Sequence, residues 1–201
     1  SMNLALRRRG PDDRGTFLSS HFGLAHVRLS IVDLVTGHQP ILKKADSRTW
    51  GIVYNGELYN TDELREELKA LGHSFDTASD TEVILCAYLE YGPGFVEKLN
   101  GIFAIAIMDE TSRKLMLYRD RAGVKPLFYG ISDETVVFSS EIKGLFCFPG
   151  LSPVLDRDGL NQIFSIGPAR TGGNGVFQGV KEVLPGHFLI CSDEGIRQEC
   201  Y

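Results

Sequence analysis

Two stretches of the chain place apolar residues at helical spacing. In "NTDELREELKALG", Leu64, Leu68 and Leu71 form a stripe. Asn60 with Glu63 three residues on marks a start, and Gly72 a stop. In "SDTEVILCAYLEYG", Ser79 and Glu82 read as a capping box, Val83 to Leu89 are apolar around most of the circumference, and Gly92 closes the run. Such a helix is predicted to be largely buried. Most of the remaining pattern is strand-like. "GIFAIAIMD", "KLMLYRD", "PLFYGIS" and "TVVFSS" follow one another across the short polar turns "ETSR" and "SDE", which predicts an antiparallel meander rather than βαβ units. Earlier strands are expected at "FGLAHVRL" and "TWGIVYN", and a late one at "GHFLICSD". Grouped helices and serial strands indicate a layered α+β fold. "FPGLSPVLDRDG" and "GPARTGGNG" read as loops from their glycines and prolines.

Composition narrows the function classes. With 201 residues and 43% hydrophobic content the chain can bury one substantial core. Its net charge is −5, and beyond Arg7, Arg8 and Arg9 the basic residues are scattered, so nucleic acid is a poor partner. No apolar run approaches the roughly 18–20 residues of a membrane span, and the start shows no signal-peptide core. Asp12 and Asp13 argue against an arginine-rich transit segment. The four cysteines (Cys86, Cys147, Cys191, Cys200) have no CxxC spacing, and the five histidines are dispersed. A reduced, cytoplasmic and metal-free protein is the expectation. Ser1 ahead of Met2 reads as a scar of tag removal.

Several segments could carry chemistry. In "VYNGELYN", Asn55-Gly56 follows an apolar strand and precedes a capped helix. A turn is the first reading. The second is an oxyanion site, in which the Asn amide and a Gly backbone N–H stabilise developing negative charge. Arg28 stands in the apolar run "AHVRLSIVD" and needs a partner, either an internal carboxylate such as Asp33 or a ligand carboxylate. Asp80 in the first turn of the second helix suits the helix dipole, and could equally receive a ligand ammonium. Arg28, Asp80 and Asn55-Gly56 together would suit an α-amino acid with a side-chain carbonyl. The charged run "YRDRAGVKPLFY" reads as a solvated face or as internal ion pairs of Arg119, Asp120 and Arg121. Glu141 and Lys143 read as caps or braces of a short helix. Cys86, Cys147 and Cys191 read as buried structural thiols.

From Arg9 to about Tyr201 the chain resembles the class II, N-terminal-nucleophile glutaminase domain of glutamine-hydrolysing asparagine synthetases. The resemblance rests on "RRGPDDRG", "HVRLSIVD", "VYNGELYN", "SDTEVIL", "LNGIFAIAI", "YRDRAGVKPLFY", "FSSEIKGL" and "VLPGHFLI", in that order. It implies an αββα sandwich of two antiparallel sheets between helical layers. It further implies that Arg28 binds the glutamine α-carboxylate and that Asp80 and Glu57 receive the α-amine. Asn55 and Gly56 would form the oxyanion hole, backbone around Ile31 and Val32 would line the pocket, and Arg9 would lie near the nucleophile. Many relatives have His where this chain has Arg8.

In the family the nucleophile is a cysteine at the mature N-terminus, on a strand that precedes the "RRGPD" segment, with its own α-amine as base. Residues 1–201 therefore read as one type-2 glutamine amidotransferase domain truncated at its N-terminus, lacking its first strand and expected to be inactive alone. An open sheet edge would favour homodimers. No cofactor is expected in this domain. A downstream synthetase domain, fed with ammonia through a tunnel, would use ATP and Mg to amidate aspartate. Two alternatives remain at this stage: a nucleophile-free binding or scaffold domain, and the glutaminase domain of a synthetase with another acceptor.

Overall fold

Alternation of side chains along strands organises the molecule. The computed structural model describes residues 2–29, 37–155, 157–166 and 171–201. Its central sheet has six antiparallel strands in the order β11-β10-β6-β5-β4-β3. These are β3 (Ile41–Ala45), β4 (Arg48–Leu58), β5 (Gly101–Asp109), β6 (Lys114–Arg119), β10 (His187–Ser192) and β11 (Gly195–Cys200). On β5, Phe103, Ile105 and Ile107 face one side, while Ala104, Ala106 and Met108 face the other. β6 repeats this with Met116 and Tyr118 against Leu115 and Leu117. A strand buried on both faces reads as a continuous apolar run, which is why "GIFAIAIMD" shows no polar alternation.

The first face packs on α2 (Thr61–Ala70) and α3 (Asp80–Tyr91), the latter continuing into a 3₁₀ turn over Gly92–Lys98. Trp50, Tyr88, Phe95, Tyr118 and Phe188 form a chain of rings through this layer, with successive centroids 5.0 to 5.5 Å apart. The second face meets a layer made of two pieces. One is the hairpin β1 (Asp13–Leu18) with β2 (Gly23–Arg28), and the other the sheet β8-β7-β9, comprising β8 (Thr135–Ser139), β7 (Phe128–Ser132) and β9 (Val180–Glu182). Leu24 and Tyr129 turn toward the central sheet, while Phe128 and Val137 turn outward to α1 (Met2–Leu6) and α4 (Ile142–Leu145). The order helix, sheet, sheet, helix is that of an αββα sandwich. A further helix, α5 (Arg157–Ile166), begins inside the segment that reads as a loop up to Gly159 and continues through residues for which the sequence pattern predicts no element.

Four sequence expectations need correction. The strand series is not one meander, because β7 and β8 leave the central sheet and pair in the other layer. Asn60 does not cap α2 with its side chain; it accepts from the Asn100 amide and donates to the Lys98 carbonyl, tying α2 to the loop before β5. Leu64 and Leu68 are buried, but Leu71 is 53% exposed because it lies just past the helix end. Ser79 does cap α3, accepting from Thr81 N–H at 3.1 Å, an interaction worth about 1 kcal/mol. Glu82 does not complete a box. Its buried carboxylate instead accepts from the Asp76 and Thr77 amides, the Thr77 hydroxyl and Lys43 Nζ.

Candidate active site

Strand β4 holds the central pair. Instead of turning at Asn55-Gly56, it runs through both residues to Leu58, with Asn55 opposite Ala104 and Gly56 opposite Phe103. Glycine is required there by close approach: a Cβ on residue 56 would stand 2.2 Å from the Ile102 carbonyl oxygen and 2.8 Å from the Tyr54 ring. The Asn-Gly pair is therefore a strand feature, and its glycine answers packing rather than a turn.

Which way Gly56 N–H points follows from the strand's alternation. Tyr54 N–H donates to Gln39 Oε1 at 2.6 Å, and its carbonyl accepts from Gln39 Nε2 at 3.1 Å, so the Tyr54 peptide faces away from β5. Two residues on, Gly56 N–H faces the same edge. β3 covers that edge only between Arg48 and Ile52. Gly56 thus presents a backbone donor beyond the end of β3, and the Asn55 side chain projects on the opposite face from Tyr54, toward the second layer.

A cavity of about 1220 Å³ opens along this edge, and Arg9, Arg28, Asn55, Gly56, Glu57 and Asp80 all line it. Arg28 is the last residue of β2 and half-buried. Its guanidinium lies over Gly37, where a Cβ would come within 2.2 Å of Nη2. Asp80 opens α3, half-buried; burial raises its carboxyl above the ordinary aspartate range, against the neighbouring Tyr54 hydroxyl and the amides of the helix start. Glu57 is exposed at the rim. Arg9 contacts Glu141 at 3.3 Å, and Glu141 also holds Lys143 at 2.6 Å, so Glu141 braces α4 without capping it. Ile31, Val32 and Asp33 lie outside the described residues.

The structure adds residues that the sequence pattern does not flag. His26, two residues before Arg28, sets Nε2 3.1 Å from the Tyr54 carbonyl. A carbonyl only accepts, so Nε2 carries the hydrogen, and burial lowers the ring's pKa to about 4. Gln39 Nε2 also reaches Thr81 Oγ1 at 3.2 Å. The Tyr54 hydroxyl is buried beside Asp80 without hydrogen-bond geometry to any described group; burial, Asp80 and Glu57 all raise its pKa.

Of the cysteines, Cys86 and Cys191 are buried, as expected for structural thiols, and Cys147 is exposed, against expectation, at the end of α4. Cys191 lines the cavity, but burial pushes its thiol up to about 11. Cys147 and Cys200 are exposed and do not line it. Among the described residues no group of three His, Cys, Asp or Glu is gathered to hold a metal ion. Nor is any described helix long and apolar enough to cross a membrane.

The chain is similar to known proteins in sequence and in fold. The family described as the glutamine amidotransferase domain matches residues 1–201. The chain is 46% identical over 195 residues to asparagine synthetase [glutamine-hydrolyzing] 3 of Bacillus subtilis, covering 97% of this chain and 32% of that protein. It is 40% identical over 189 residues to asparagine synthetase [glutamine-hydrolyzing] 2 of the same organism, covering 92% and 25% respectively. Among solved structures, the glutamine phosphoribosylpyrophosphate amidotransferase of B. subtilis, complexed with ADP and GMP, superposes with a TM-score of 0.62 at 25% identity, over 89% of this chain and 34% of that one. The chain thus spans between a quarter and a third of the length of the two synthetases.

Proposed function

Because the chain belongs to the glutamine amidotransferase domain family and is homologous to the glutaminase domains of asparagine synthetases, we propose that its cavity binds glutamine and releases ammonia from the side-chain amide. The observation that carries this reading is the convergence of a cation, two carboxylates and a strand-edge N–H on one cavity. Arg28 would pair with the α-carboxylate, as guanidinium does with planar carboxylates. Asp80 and Glu57 would take the α-ammonium. The side-chain amide would then extend to Asn55 and Gly56.

There a thiolate adds to the amide carbon, the carbonyl electrons move onto oxygen, and the Asn55 amide and Gly56 N–H stabilise that oxyanion. The cysteine's own α-amine, which took the thiol proton, gives it to the amide nitrogen as the intermediate collapses, the C–N bond breaks, and ammonia leaves behind a thioester. Water then hydrolyses the thioester to glutamate. None of the four cysteines is placed for the first step: two are buried and two stand away from the cavity. The nucleophile in this reading is the N-terminal cysteine of the longer protein. Ammonia would pass to a synthetase region outside residues 1–201, which would use ATP and Mg to amidate aspartate, in a reduced cytoplasmic setting.

Titration calorimetry with glutamine tests binding, and a glutamate-release assay tests turnover. The 201-residue chain is expected to bind glutamine without releasing glutamate above the buffer control, and Arg28→Ala to abolish the binding. With the upstream cysteine segment restored, Asn55→Ala is expected to lower turnover by about 10²–10³. Undiminished turnover in that variant would remove Asn55 from the oxyanion hole.

A further inference from the structure

Gln39 is buried, 6% exposed, and spends its whole side-chain amide on two elements that carry ligand groups. Toward β4 it behaves as a strand would. Oε1 accepts from Tyr54 N–H at 2.6 Å and Nε2 donates to Tyr54 C=O at 3.1 Å, reproducing the paired bonds of an antiparallel neighbour just beyond the end of β3. The chemistry of the peptide fixes the orientation of the amide, since Tyr54 N–H needs an acceptor and Tyr54 C=O a donor. The second Nε2 hydrogen goes to Thr81 Oγ1 at 3.2 Å. Tyr54 immediately precedes Asn55, and Thr81 immediately follows Asp80. One primary amide therefore links the strand that carries Asn55 and Gly56 to the helix that carries Asp80, and all three residues line the cavity.

His26 closes the arrangement from the third side. It donates to the same Tyr54 carbonyl from β2, two residues before Arg28. A carbonyl oxygen has two lone pairs, and both are used here. β2 and β4 thus meet at the Tyr54 carbonyl, and Gln39 links that residue to α3.

We propose that Gln39 is a positioning residue, which through Tyr54 and Thr81 sets the spacing between the amide-binding end of the cavity and its ammonium-binding end. This rests on the glutamine site proposed above. Small misplacements of a bound group are costly, with about 1 Å already affecting rates by up to 10²-fold. A site that reads both ends of one small molecule depends on their separation. A site that reads only one end does not.

The test compares two ligands on the 201-residue chain: glutamine, and glutaramate, which is glutamine without its α-amine. Thr81→Val keeps the shape of residue 81 and removes only the acceptor for Gln39. It is expected to lower the preference for glutamine over glutaramate about tenfold, by weakening glutamine alone. Thr81→Ser, which restores the hydroxyl, is expected to restore the preference. Gln39→Met is a second probe, expected to lose the preference in its folded fraction as measured beside a thermal melt. A role confined to stability would move the melting temperature and leave the ratio of affinities unchanged. An unchanged ratio in Thr81→Val and Gln39→Met, with wild type still binding glutamine and Arg28→Ala not, overturns the role of Gln39 and leaves the glutamine site standing. No glutamine binding by the wild-type chain removes the site and this inference together.

Discussion

His26 stays neutral because of where its ring sits. Burial opposes the imidazolium, and the nearby Arg28 charge adds to that, so the folded protein resists protonating the ring until about pH 4. The unfolded chain accepts the same proton near the ordinary value of about 6.5. As pH falls through 6.5 the unfolded state therefore gains protons first. Stability declines from there down to about pH 4, and this contribution levels off below. The full effect is roughly 3 kcal/mol, at about 1.4 kcal/mol per pH unit. Urea unfolding of wild type and His26→Gln at pH 7, 5.5 and 4 is expected to show a shallower acid decline in the variant. Parallel declines would assign the acid sensitivity to other groups. At this scale the sequence is legible where chemistry is rare in its setting. Arg28 in an apolar run and Asn-Gly ahead of a helix both attract notice. Gln39 and His26 do not, because their shared partner is a backbone carbonyl, 15 and 28 positions away, that any residue possesses.

Strands and helices with a strong apolar period could be located from sequence nearly to the residue: β5 spans the predicted Gly101–Asp109. What the pattern could not convey was partnership. "PLFYGIS" and "TVVFSS" look like continuations of the β5–β6 series, yet their side chains fit a different layer. The continuation of β4 past Asn55-Gly56 was equally hidden, since it depends on a facing strand long enough to pair to Leu58. Partnership also sets the main liability at this scale. Among the described residues β2 pairs with β1 and β8 with β7, and residues of both β2 and β8 line the one cavity between them. Two strand edges facing a gap can recruit a strand from another copy of the chain. Light scattering across a concentration series is expected to show dimers forming, and a constant monomer mass would count against edge pairing.

At the scale of the whole molecule, a buried ion pair among the described residues joins the central sheet to the sheet β8-β7-β9. Arg119 of β6 meets Glu182 of β9 at 2.9 Å, each side chain 7% exposed. The guanidinium also donates to the carbonyls of Gly123, Lys125 and Val183. Asp120 beside it is buried too, accepting from the Val124 and Lys125 amides. Of the two readings open for this charged run, internal ion pairing is the one the fold adopts for Arg119, while the Asp120 carboxylate is buried on backbone amides instead of a cation. Arg121 is exposed and stacks on the Tyr201 ring. Removing one partner of a buried pair strands the other, so Glu182→Ala is expected to lose about 3 kcal/mol. The denaturation midpoint should fall accordingly, and an unmoved midpoint would mean that the three carbonyls suffice for Arg119.

The glutamine at position 39 also fixes where structure ends and recognition begins. Along β4, among the described residues, the neighbour changes from a strand to a single side chain and then to open cavity. A border built from backbone can be moved only by inserting or deleting residues. A border built from one side chain can be moved by a single nucleotide change, so the reach of this binding edge is open to revision without rebuilding the sheet that supports it.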